Sequence, residues 1–337
     1  MSFETVENVL HIKADSVMTL AMAAVLLLLG YFVRNKVSFL SKYCIPAPVV
    51  GGFLFMFVTF AGHQSGSFTF DFTNTFQSPF MLAFFTTVGL GASVKLLKKG
   101  GVMLVIYWLM ACIISVIQNA LAIGVGSVVN VPAPYALLCG AISMIGGHGA
   151  AGAYGGTFET MGYSAGTTVG AAAATFGLIS GVLLGGPLAR RLIEKNGLKP
   201  EEDTTSYDDI ESINAGHGEK LTGLDVIKNV AAIIICMALG TIVAGWVGKL
   251  IDMDFPTYVG AMFIAVILRN LNDKFNLYKF SFPLVDGIGD VMLNLYLSLA
   301  LMTLKLWELT GLLGGLLVIL AVQVVVMALY AYFVVFR

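Results

Sequence analysis

Nine stretches of this chain are mostly apolar, carry at most two charges each and are candidate spans: 17–33, 44–61, 80–94, 101–129, 164–189, 229–248, 256–268, 284–304 and 312–336. A helix needs ~20 mostly apolar residues to cross the hydrocarbon core of a bilayer. A helix that is apolar all round must be covered by protein or lipid. The chain therefore reads as an all-α polytopic membrane protein embedded in a lipid bilayer. Composition agrees: 58% of its 337 residues are hydrophobic and 12% are charged, against roughly a quarter charged in soluble domains. Nineteen Lys and Arg nearly balance twenty Asp and Glu, which excludes a nucleic-acid partner, since that partner demands a basic surface. Cys44, Cys112, Cys139 and Cys236 all lie in apolar runs, where a thiol is a small hydrophobe and no metal knuckle is implied. The first span is no signal peptide, because Glu4, Glu7 and Asp15 precede it and no small-residue cleavage site follows.

Residues 135–158 behave differently. Tyr135–Met144 is apolar but only ten residues long, and six glycines then fall between Gly146 and Gly156. Ten helical residues span roughly 15 Å, half a membrane. The segment is expected to enter and leave from one side as a re-entrant hairpin, a backbone tolerated at depth only where it is buried in protein or lines a wet cavity. With the N-terminus outside, 16 Lys and Arg fall in inside loops and three (Lys13, Lys249 and Lys305) fall outside. The positive-inside rule selects that orientation, so the N-terminus is expected in the periplasm and the 190–228 linker in the cytoplasm. That linker carries Glu201, Glu202, Asp203, Asp208, Asp209 and Glu211 and reads as a solvated tether.

A shift of 210 residues brings landmarks together. Leu29-Gly30 falls on Leu239-Gly240, Pro46 on Pro256, Val49 on Val259, Phe53 on Phe263, Lys95-Leu96 on Lys305-Leu306, and Gly101 on Gly311. Five crossings separate equivalent points, so the second copy is expected to be inverted. Inverted repeats mark secondary transporters, with the cargo held where the repeats meet. The expected organisation is a first repeat over 1–189 with the hairpin, the linker, and a second repeat over 229–337. On this register the second repeat stops before its own hairpin. A chain ending at Arg337 is then expected to lack roughly 60 residues and not to transport.

Candidate functional residues cluster at the hairpin tip. Ser143, Gly146, Gly147, His148 and Gly149 combine polar handles with glycines that let amides and carbonyls turn inward. Half-helix N-termini suit a carboxylate and unwound carbonyls suit Na⁺. The glycines can equally serve close helix packing. Thr175 reads as an ion ligand or as a hydroxyl bonded to its own helix. Gln118 and Asn119 are amides at membrane depth, as are Asn294 and Ser298 four residues apart on one face; each pair suits a site or a structural network. Pro46, Pro48 and Pro256 read either as plain helix starts or as breaks near a site. Gly287-Ile-Gly-Asp290 spells the GxGD motif of intramembrane aspartyl proteases. That chemistry needs a second embedded Asp, yet the Tyr-Asp pair lies in the linker. No phosphate-binding loop is present. The chain is thus read as a transporter and not an enzyme. A channel is disfavoured, since its ring would need rotational repeats.

The stretches SFLSKYCIPAPVVGG (38–52), PFMLAFF (79–85), GGHG (146–149), ATFGL (174–178) with GGPLAR (185–190), and KLWEL (305–309) together resemble the bacterial sodium/glutamate symporters, in order and over most of the chain. The resemblance implies Na⁺-coupled uptake of L-glutamate across the inner membrane. It implies a homodimer with a scaffold domain and an elevator-like transport domain, and no cofactor beyond the coupling ion. Symport of another carboxylate, such as citrate or a hydroxyacid, shares the architecture. Ile145 stands where the family pattern leads one to expect a small hydroxyl residue, and the family's second glycine-rich hairpin lies beyond Arg337. With no Arg placed inside a span, the second carboxylate is expected to meet His148, a hairpin N-terminus or a residue of that second hairpin.

Overall fold

The computed structural model describes residues 2–6, 9–42, 46–197, 222–252, 255–276, 278–305, 307 and 311–336. The chain opens with β1 (Ser2–Val6) and β2 (Val9–Ala14), an antiparallel pair, and β3 (Phe68–Phe72) joins β2 in parallel. This small sheet departs from a wholly α-helical expectation. Its strands are five or six residues long, too short for an alternating pattern to stand out from the apolar spans around them. Phe70 and Phe72 stack with ring centroids 5.4 Å apart, and Phe55 meets Phe70 edge-on at 5.2 Å.

Helices follow: α1 (Ser16–Lys36), α2 (Ser38–Lys42), α3 (Ala47–Gln64), α4 (Gln77–Gly91), α5 (Val94–Val128), α6 (Ala133–Leu138), α7 (Ala141–Met144), α8 (Gly147–Thr160), α9 (Gly166–Asn196), α10 (Gly223–Ile251), α11 (Thr257–Phe275), α12 (Phe282–Met302) and α13 (Leu313–Tyr330). A π turn at Ala331–Val335 ends the last. Asp15 starts α1 by accepting from the N–H groups of Val17 and Met18, each at 3.0 Å. The Met18 bond holds its carboxyl below the usual range.

Seven of these helices are long and apolar enough to cross a membrane: Ser16–Lys36, Ala47–Gln64, Gly101–Val128, Gly166–Asn196, Gly223–Ile251, Phe282–Met302 and Leu313–Val335. The third begins at Gly101 because α5 breaks there (φ 53°, ψ −144°). The remaining two expected spans take other forms. That at 80–94 becomes α4, 15 residues or about 22 Å, short of a ~30 Å core. That at 256–268 becomes α11, which continues through Arg269, Asp273 and Lys274 to Phe275. Arg269, counted above as a loop charge, is 2% exposed inside that helix. That helix is not among the seven, so Arg269 is a buried helical residue and not an Arg shown inside a span. Without it, the charge tally stands at 15 against 3.

The chain divides into two compact units. One comprises 1–77, 105–195 and 297–337, and the other 78–104 and 196–296. In the first, α1 packs on α3. Gly30 sits at the crossing, where a Cβ would come within 2.0 Å of the Ala47 carbonyl oxygen. In the second, α10 packs on α11, and a Cβ on Gly240 would come within 2.2 Å of Ala261 Cα. Gly30 and Gly240 are 210 residues apart, as are Gly51 and Ala261 at the opposing faces. Backbones this close exclude any side chain at the crossing. Pro46 and Pro256 cap α3 and α11 in the same extended conformation, with φ −61° in both. They act as helix starts, where a missing N–H costs nothing.

Candidate functional site

The hairpin region lies in the first unit. Its descending arm is α6 and α7, ten helical residues interrupted at Cys139–Gly140. The returning arm is α8, which packs back on both. Neither arm alone reaches ~20 residues. Between α7 and α8 the helical ladder ends. Ile145 and Gly146 both donate to the Ala141 carbonyl, and Gly147 turns the chain at φ +62°. That left-handed conformation suits glycine and strains residues with a Cβ.

The break brings two helix ends together. The first N–H groups and last C=O groups of any helix lack partners within it. Gly146 caps α8 without a side-chain hydrogen bond, so the amides of Gly147, His148 and Gly149 open the helix with no side-chain cap. This end of α8 carries partial positive charge and suits an anion. Gly149 is buried and Ile145 is 46% exposed beside the turn. The side chain of His148 lies outside the described residues.

Neighbouring residues hold this geometry. Asn119 Oδ1 on α5 accepts from Ala141 N at 2.9 Å and so caps the start of α7. Ser143, 2% exposed, donates to the Gly170 carbonyl on α9 at 3.2 Å. Gly166, Gly170 and Gly177 face the hairpin at near contact. Added Cβ atoms would lie 2.4 Å from Gly155 O, 2.8 Å from Ala151 O and 2.9 Å from Met144 Sδ. These glycines of α9 therefore serve packing, whereas Gly181 and Gly185 meet nothing within 4 Å. Tyr135 and Tyr163 meet edge-on at 5.4 Å, and Tyr135 Oη accepts from Ala165 N at 3.4 Å.

Thr175, 2% exposed, donates to its own helix at Ala171 O, 2.8 Å away. It lines a cavity of about 410 Å³ whose walls are otherwise mainly Leu, Ala, Val and Phe. That lining offers little to a charged solute. Asn294 belongs to the other unit, where its Nδ2 donates to Asp290 O at 2.7 Å. Ser298 is fully buried on α12, and its Oγ has no hydrogen-bond partner among the described residues. The structure thus brings Ser143, Gly146, Gly147, Gly149 and Asn119 into one constellation in the first unit.

Gln323 and Arg269 are among the buried polar residues that escaped the sequence reading. Gln323, fully buried on α13, donates Nε2 to the Gln118 carbonyl at 2.7 Å. A lone amide within a 25-residue apolar run was the available signal. Arg269 Nε lies 2.9 Å from Asp273 Oδ1, an ion pair not aligned as a hydrogen bond. Its Nη1 donates to Leu90 O at 3.3 Å, and its guanidinium sits 3.9 Å from the Phe282 ring centroid. Ser93 donates to Asp273 Oδ2 at 2.7 Å, and Asn270 accepts from Val94 N at 2.6 Å. The end of α11 thereby clamps the α4–α5 junction. The i, i+4 spacing of Arg269 and Asp273 was the missed clue.

A family model described as the sodium/glutamate symporter matches residues 12–337. The chain belongs to the sodium/glutamate symporter family. It is 38% identical over 328 residues to the sodium/glutamate symporter of Escherichia coli, covering 96% of this chain and 80% of that protein. It is 36% identical over 324 residues to the Haemophilus influenzae sodium/glutamate symporter, covering 95% and 80%. A symporter family accounts for the multi-pass helices and for polar groups kept at membrane depth.

Proposed function

We propose that the protein couples entry of L-glutamate to entry of Na⁺ across the bacterial inner membrane. The cargo carboxylate meets the amides that open α8, and Na⁺ meets carbonyls at the end of α7. The observation that carries this reading is the break at Gly146–Gly147 within a symporter-family chain. Asn119 and Ser143 position the broken backbone and Gly149 keeps it uncrowded. Thr175 and Asn294 are reserved as ligands on α9 and α12. Na⁺ is cargo and coupling ion; no resident cofactor is invoked. The matched crossings at Gly30 and Gly240 support an inverted repeat, with 1–189 and 229–337 as its copies. A re-entrant hairpin, an elevator-like transport domain and a homodimer belong to the same reading, as do a periplasmic N-terminus and a cytoplasmic 190–228 linker.

Proteoliposomes carrying the protein expressed from its complete reading frame should accumulate radiolabelled L-glutamate when an inward Na⁺ gradient is imposed. Accumulation should stop when K⁺ replaces Na⁺. Uptake indifferent to Na⁺, or displaced by citrate more readily than by glutamate, would sink the proposal. In intact cells, a membrane-impermeant thiol reagent should leave Thr205→Cys unlabelled until the cells are broken. Labelling from outside would reverse the orientation.

A further inference from the structure

The last two turns of α9 carry Arg190, Arg191, Glu194 and Lys195. With Pro187 they line an open hollow of about 460 Å³ on the first unit. Three cations face one carboxylate there, and that carboxylate is already engaged: Arg190 Nε donates to Glu194 Oε1 at 2.7 Å. Arg191 and Lys195 are left without a carboxylate among the described residues. They stand four residues apart, and so share one face of the helix.

Two details fit this pair to a phosphate. Lys195 Nζ donates to Tyr332 Oη at 3.1 Å and lies 5.7 Å from that ring's centroid. Tyr332 belongs to the π turn that ends α13, so a second helix holds the ammonium in place while two of its three donors stay available. Arg191 is exposed and makes no hydrogen bond or ion pair among the described residues. Its planar fork can meet two phosphate oxygens at once. Apolar surface adjoins both cations. Leu184, 42% exposed, lies seven residues before Arg191, two turns and about 10 Å back along the same face. Phe333, 54% exposed, meets Tyr332 edge-on at 4.9 Å. Both α9 and α13 are long and apolar enough to cross a membrane. The cations therefore sit where a phospholipid carries its phosphate, with apolar surface beside them for its acyl chains.

We propose that Arg191 and Lys195 hold the phosphate of an anionic phospholipid whose acyl chains lie along Leu184 and Phe333. A zwitterionic lipid brings its own cation, which competes for the phosphate and is repelled by the cluster. An anionic head group leaves its whole charge to the protein. By the charge reading the lipid belongs to the cytoplasmic leaflet. That placement rests on the orientation proposed above; head-group binding itself does not.

The test uses protein expressed from its complete reading frame and stripped of lipid in detergent. Its melting temperature should rise saturably as phosphatidylglycerol is added, by mass action, and should not respond to phosphatidylcholine at the same concentration. Arg191→Gln and Lys195→Gln, both at exposed positions, should each raise the half-saturating phosphatidylglycerol concentration at least about tenfold. Lys36→Gln removes one charge from the last turn of α1 instead, and should leave that concentration within about twofold of the parent. Inorganic phosphate alone should leave the melting temperature unchanged. A Lys36 variant weakened as much as the other two overturns the proposal, because the attraction is then general to basic helix ends. Equal stabilisation by phosphatidylcholine overturns it as well, and so does the absence of any saturable rise. Stabilisation by inorganic phosphate would make the cluster a site for a free anion and overturn the lipid assignment. None of these readouts depends on Na⁺-driven uptake, so failure of the symport reading leaves the test intact.

Discussion

Replacing Arg269 by Leu should destabilise the protein by about 3–5 kcal/mol, the usual loss when one partner of a buried ion pair is removed. Arg269 is 2% exposed and its partner Asp273 is 19% exposed. Truncation removes the cation beside the Asp273 carboxylate, deprives the Leu90 carbonyl of its donor and takes the guanidinium from the face of Phe282. At the roughly 2 °C per kcal/mol of a large domain, the melting temperature in detergent should fall by roughly 6–10 °C. Arg269→Lys should recover only part of the loss. An ammonium cannot reproduce the planar stack on Phe282 while also reaching Asp273 and Leu90. The double variant Arg269→Leu with Asp273→Leu should melt higher than Arg269→Leu alone, since no uncompensated charge is then buried. A single variant melting within 2 °C of the parent would show that Arg269 is not what holds the α4–α5 junction.

Glutamate binding should weaken sharply when Gly147 is replaced, with little loss of fold. Gly147 has φ +62°, and a Cβ there meets nothing within 4 Å. Ala or Val would strain the backbone by roughly 1–2 kcal/mol without a clash. If the amides opening α8 hold the carboxylate, losing one such bond costs about 1.5–3 kcal/mol, or roughly 10- to 150-fold in affinity. Gly146 is the packing control, since its Cβ would lie 2.5 Å from both Ile142 O and Ala150 Cβ. Gly146→Ala should therefore lower the melting temperature more than Gly147→Ala does. Na⁺ should raise the melting temperature of the parent by mass action, and less so in the Gly147 variants. An affinity that stays within about threefold, under ~0.7 kcal/mol, in folded Gly147→Ala and Gly147→Val would make the hairpin a scaffold. Asn119, Thr175 and Asn294 would then be the ligands to test.

The site was partly legible before any coordinates. The half-length apolar arm and the glycines after Met144 mark the position of the break, because glycine density and segment length are local properties. What Asn119 does was not legible. Its side chain reaches Ala141 N across 22 residues, and amide composition does not name a partner. The glycines of α9 divided only in three dimensions: Gly166, Gly170 and Gly177 abut the hairpin, and Gly181 does not. The 210-residue register foresaw equivalent helix starts at Pro46 and Pro256, and both are helix caps.

The membrane class and seven helices long and apolar enough to cross a bilayer follow from sequence alone. Transferring an apolar run from water to lipid depends on composition and length, which are additive along the chain. Burial of Arg269, pairing of β2 with β3 across more than fifty residues, and the contact of Lys195 with Tyr332 were decided by the tertiary structure. Each depends on which distant segments meet. A charge adjoining an apolar run reads as a loop until a partner carboxylate, a carbonyl and an aromatic face arrive from elsewhere to compensate its burial.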